Sequence, residues 1–104
     1  MKKNILIVDD HPIVSTGLQA LIEHTGEYGK IYVTNNIASS RLLLRQKDID
    51  IAIIDLELQD ANGMELIKYI HQTHINTKIL VYTMHEELWT IRQLMKEDAD
   101  AIVM

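Results

Sequence analysis

The chain has 104 residues, 47% hydrophobic and 24% charged, close to the globular average and enough for one domain. It has no cysteine, which excludes a disulfide framework, a zinc ribbon and thiol chemistry. A net charge of −5 disfavours direct binding to a phosphate backbone, and the N-terminal apolar run, Ile5 to Val8, is too short for a signal peptide or membrane span.

Ile5-Leu6-Ile7-Val8 is a continuous apolar run, β-branched at all but Leu6, suited to a strand buried on both faces. It stops at Asp9-Asp10, and Pro12 stands where a first helical residue belongs. Ile13, Val14, Gly17, Leu18, Leu21 and Ile22 follow at helical spacing, closed by Gly26 and Gly29. Lys30 to Thr34 reads as a second strand. Asn35 or Asn36 can cap a helix to about Lys47, with Ile37, Leu42, Leu43 and Leu44 on its apolar side. A third strand, Ile49 to Ile54, ends at Asp55, and the loop after it contains Asn62-Gly63, a pair suited to positive φ. Met64, Leu66, Ile67 and Ile70 mark a third helix, and Lys78 to Tyr82 a fourth strand ending at Thr83. Leu88, Ile91, Leu94 and Met95 give a fourth helix, and Ala101 to Met104 begins a fifth strand.

This alternation with short connections predicts an α/β fold, a parallel sheet flanked by helices. Ligands of such sheets sit outside the carboxyl ends of the strands, near the topological switch point. Attention therefore falls on Asp9, Asp10, Asn35, Asp55 and Thr83. A single Asp after a strand is ordinarily a helix cap. Three acids at two neighbouring strand ends are not explained that way, because they repel one another in a partly dry cleft. A hard, oxygen-loving cation such as Mg²⁺ is the expected guest. The same acids argue against FMN, whose phosphate needs N–H donors where this loop offers Asp9, Asp10 and a proline.

Asp9-Asp10 after strand one, Asp55 after strand three and Thr83 after strand four resemble the receiver domain of bacterial two-component response regulators, over the whole chain. Val8 to Val14 followed by Gly17-Leu18 is similar to the LuxR/NarL-type subset. The resemblance implies a flavodoxin-like (CheY-like) doubly wound five-stranded sheet of order 2-1-3-4-5. It implies Asp55 as phosphoacceptor from a sensor histidine kinase, and Mg²⁺ held by Asp10, by Asp9 through water, by Asp55 and by the backbone carbonyl of Glu57. Thr83 would donate its hydroxyl to a phosphoryl oxygen. A cytoplasmic protein is implied, switching between monomer and homodimer and regulating transcription through a DNA-binding domain outside residues 1–104. The domain would be a kinase substrate rather than an enzyme.

Three carboxylates and one Mg²⁺ leave the pocket near −1, so a further cation is wanted for an incoming phosphoryl group. The family supplies a lysine at the end of strand five. No lysine in residues 1–104 matches it, and the last helix of the fold is missing too, so the sequence is expected to be a truncated receiver. Two further departures are Gln59 where the family often has proline, and Ile102 where it usually has a switching aromatic.

Other residues carry blander expectations. His71 and His74 lie three apart on helix three with no third ligand nearby, and read as surface residues. His11 reads as a helix-start residue lining the rim, His85 as a neighbour of the pocket mouth, and Trp89 as a core-edge or partner-facing side chain. Two rivals remain. Asp55-Leu56-Glu57 is similar to the Asp-x-Asp of haloacid dehalogenase-like phosphohydrolases, and a degenerate receiver could serve only as an interaction module.

Overall fold

The computed structural model describes residues 2–56, 58, 63–73, 76–82 and 101–103. In chain order the elements are β1 (Ile5–Val8), α1 (Pro12–Thr25), β2 (Ile31–Thr34), α2 (Ile37–Gln46), β3 (Ile51–Asp55), α3 (Gly63–Thr73), β4 (Lys78–Tyr82) and β5 (Ala101–Val103). The expected fourth helix lies outside the described residues.

All strands pair in parallel, in the order β2-β1-β3-β4-β5. The parallel sheet is the one the alternation predicts, and its order is the flavodoxin-like one that the receiver-domain resemblance implies. Chain order reverses between β1 and β3, whose carboxyl ends lie side by side because Val8 pairs with Ile54. The switch point therefore falls between Asp9 and Asp55.

Side-chain parity divides the core. Leu6, Val8, Ala52, Ile54, Ile79 and Val81 point to the face covered by α2 and α3, where Ile37, Leu44, Met64, Ile67 and Ile70 are buried. Ile5, Ile7 and Ile53 point to the opposite face, against Leu18 and Ile22 of α1. The even and odd positions of one strand thus serve different layers, which is why β1 reads as an unbroken apolar run.

Local chemistry sets the ends. Asn36 caps α2, accepting the Ser39 N–H at 2.8 Å, and so decides between the two candidate asparagines. Gly26 closes α1 with φ 69°, the left-handed conformation a glycine adopts without strain. The buried Ser40 hydroxyl lies 2.6 Å from Thr34 Oγ1 and donates to the Asn36 carbonyl at 2.7 Å. These bonds tie the start of α2 to the end of β2.

Four expectations need correction. Gly63 does not have positive φ; its role is closeness, since a Cβ there would lie 2.5 Å from the Asp55 carbonyl oxygen. The third strand begins at Ile51 rather than Ile49, because the Asp50 carboxylate turns back to accept the Asn4 N–H. Leu42 is 54% exposed, on the outer side of α2. On α1, Ile13, Val14 and Leu21 are exposed as well, while Leu18 and Ile22 are the α1 side chains packed against Ile5, Ile7 and Ile53. Among the described residues no helix is long and apolar enough to cross a membrane.

Candidate functional site

The site follows from strand parity. Asp9 and Asp55 extend the Ile5-Ile7 and Ile51-Ile53 series, and Tyr82 pairs in register with Asp55, so all three stand at the carboxyl end of the α1 face. The strand ladder continues one bond past Val8, with the Asp9 N–H donating to the Thr34 carbonyl at 3.0 Å. Pro12 then begins α1 and turns the chain away from the sheet. Asp9 is buried, the Asp10 and Asp55 side chains are each 8% exposed, and a cavity of about 320 Å³ opens beside Asp9, Asp10, Pro12 and Asn35.

Asp9, Asp10, His11 and Asp55 each offer a ligand atom, and these atoms all lie within 4.8 Å of one another. The three acids singled out in the sequence are thus brought together. Glu57 and Thr83, the other two expected contributors, lie outside the described residues, as do His74, His85 and Trp89. His71 is exposed on α3, away from the cluster.

Two contributors were not recognised in the sequence. His11 caps α1 with extended backbone, and its N–H donates to Asp9 Oδ1 at 2.8 Å, an Asx turn. Its ring is turned inward from the rim: Nδ1 lies 2.9 Å from Asp9 Oδ1, 3.1 Å from Asp10 Oδ1 and 3.5 Å from Asp55 Oδ2. The hydrogen bond to Asp9 raises the His11 pKa, against a smaller loss of solvation, and the charges of Asp9, Asp10 and Asp55 add to the rise. Tyr82 donates its hydroxyl to Asp9 Oδ2. Burial is the main cause that pushes its pKa up, followed by this bond and by the negative charges of Asp9, Asp55 and Asp10. The phenol is therefore a fixed neutral donor. The available signal was the parity of Tyr82 with Asp9 and Asp55.

The donor set suits a divalent cation. Carboxylate oxygens from three residues are the hard ligands that Mg²⁺ prefers, and a few of them suffice because it keeps part of its water shell. Their mutual repulsion is offset by any cation placed among them.

Residues 5–104 match the family model of the response regulator receiver domain, and the chain belongs to this family. The transcriptional regulatory protein YdfI of Bacillus subtilis (strain 168) is 36% identical over 83 residues, which cover 80% of this chain and 38% of that protein. The chain therefore spans less than half of this relative. Among solved structures, a LuxR-family two-component response regulator from Aurantimonas sp. SI85-9A1 superposes with a TM-score of 0.87 at 29% identity, covering 98% of this chain and 73% of that one. A response regulator from Burkholderia pseudomallei, crystallised with a phosphorylated aspartic acid, a calcium ion and citrate, gives 0.88 at 26% identity, covering 97% and 58%. These likenesses bear out the LuxR/NarL-type resemblance.

Proposed function

We propose that the domain accepts a phosphoryl group on Asp55 from the phosphohistidine of a sensor kinase, with Mg²⁺ as cofactor, and thereby switches a transcriptional output. The observation that carries this reading is the convergence of Asp9, Asp10 and Asp55 at the switch point of the sheet. The Burkholderia pseudomallei relative, with its phosphorylated aspartic acid and calcium ion, supports it by analogy.

Asp10, Asp55 and the Glu57 carbonyl would hold the ion directly, and Asp9 through water. Bound there, Mg²⁺ would neutralise charge on the phosphoryl oxygens. Asp55 supplies the nucleophile. A carboxylate oxygen forms the new O–P bond while the P–N bond of the donor breaks, and its electron pair leaves on the imidazole nitrogen. Asp9, held by the His11 N–H and the Tyr82 hydroxyl, is an oriented acid rather than a mobile one. Thr83 would donate its hydroxyl to a phosphoryl oxygen once Asp55 is modified. The added charge and acceptor oxygens would then draw the chain after β4 toward the site and change the surface that controls dimerisation or an output domain.

Intact mass after incubation with Mg²⁺ and acetyl phosphate tests the proposal. One phosphoryl adduct per molecule is expected, lost in Asp55→Ala. An adduct that survives Asp55→Ala, or none on the full-length protein, rejects it. Multiple turnover on a small phosphate ester would instead favour a phosphohydrolase.

A further inference from the structure

We propose that His11 is an additional ligand of the cation site, giving it a mixed nitrogen and oxygen donor set that favours first-row ions such as Co²⁺ over Mg²⁺. The inference rests on the metal site proposed above and concerns its selectivity.

Donors bound about 2.1 Å from one six-coordinate ion stand about 3 Å apart at adjacent vertices. His11 Nδ1 lies 2.9, 3.1 and 3.5 Å from single oxygens of Asp9, Asp10 and Asp55. It therefore stands near neighbouring-ligand spacing from Asp10 and Asp55, the two acids proposed to bind directly, while Asp9 lies beside it as the water-linked acid. The four donor atoms lie within 4.8 Å of one another, a spread that side-chain rotation would close around an ion. The backbone holds it there, because the Asx turn between the His11 N–H and Asp9 fixes where the ring begins and Pro12 fixes the helix that follows. An ion entering the cluster would take the place of the proton that Nδ1 shares with Asp9, and that proton would leave to solvent. Imidazole suits the borderline ions of the first row, whereas Mg²⁺ selects oxygen. The nitrogen should thus add affinity for Co²⁺ and little for Mg²⁺.

The test is calorimetric titration of the full chain with CoCl₂ and, separately, MgCl₂, together with the visible spectrum of the Co²⁺ form. Wild type is compared with His11→Ala, which removes the donor, and His11→Asn, which leaves a side chain that caps helices well. The His11 side chain is 59% exposed, so both variants are expected to fold, as circular dichroism would verify. The ratio of Co²⁺ to Mg²⁺ affinity should fall about tenfold or more in both variants. The Co²⁺ absorption should also shift as the nitrogen donor is lost. An unchanged ratio overturns the inference while leaving the Mg²⁺ site standing. A parallel rise in affinity for both ions on losing His11 also overturns it, because the ring would then only plug the site. If wild type binds neither ion, the site reading fails and this inference falls with it.

Discussion

At the scale of single residues the site is a balance between repulsion and orientation. Asp9 is fully buried as a side chain, yet both of its oxygens have partners, Oδ1 in the His11 N–H and Nδ1 and Oδ2 in the Tyr82 hydroxyl. Removing one donor from a buried carboxylate costs more than an ordinary hydrogen bond. Tyr82→Phe should therefore lower the unfolding free energy by about 1.5–3 kcal/mol, read from urea denaturation without divalent ions. Removing one of the acids should act in the opposite direction. Asp10→Asn is expected to raise ion-free stability by on the order of 1 kcal/mol in EDTA, by relieving like-charge contact with Asp9 and Asp55. Saturating Mg²⁺ should erase that advantage, since wild type then gains from binding what the variant cannot. A variant no more stable than wild type in EDTA would show that His11 already compensates the cluster.

At the scale of elements, the approach of α3 to the end of β3 positions Asp55, the proposed phosphoacceptor. Gly63 donates its N–H to the Leu56 carbonyl at 2.9 Å, and a Cβ at this position would press on the backbone of Asp55 and Leu56. Backbone cannot rotate aside as a flexible side chain can. Gly63→Ala should cost about 1–3 kcal/mol of stability through overpacking, with slower modification by acetyl phosphate because Asp55 shifts with its strand. The Asn62-Gly63 pair announced a glycine requirement correctly but suggested the wrong cause. A turn signature reports local conformation, whereas this glycine answers to a strand eight residues earlier. The cap of α2 was partly legible for a similar reason: two adjacent asparagines can both accept the bond, and packing of Ser40 against Thr34 selects Asn36.

At the scale of the whole molecule, one sheet separates two apolar layers of unequal depth. The α2 and α3 layer buries Leu66, Ile67 and Ile70 completely, whereas α1 leaves Ile13 88% and Leu21 69% exposed. Truncation in the deep layer should be severe. Ile67→Ala is expected to cost about 2–5 kcal/mol, and Leu42→Ala less than about 0.5 kcal/mol, although both are apolar residues at helical positions. Urea midpoints of the two variants would check the contrast. Similar losses would mean that Leu42 packs far better than its exposure indicates.

The amino-acid sequence alone determined the order of strands and helices, the parallel sheet and the three acids at its carboxyl edge. Those follow from periodicity and from where apolar runs stop, and both are local properties of the chain. Only the tertiary structure decided that His11 turns into the acids, that Tyr82 holds Asp9, and which apolar helix positions face the sheet. Each of these depends on the parity of strands distant in sequence and on how much of a helix its sheet can cover, and no local pattern encodes either.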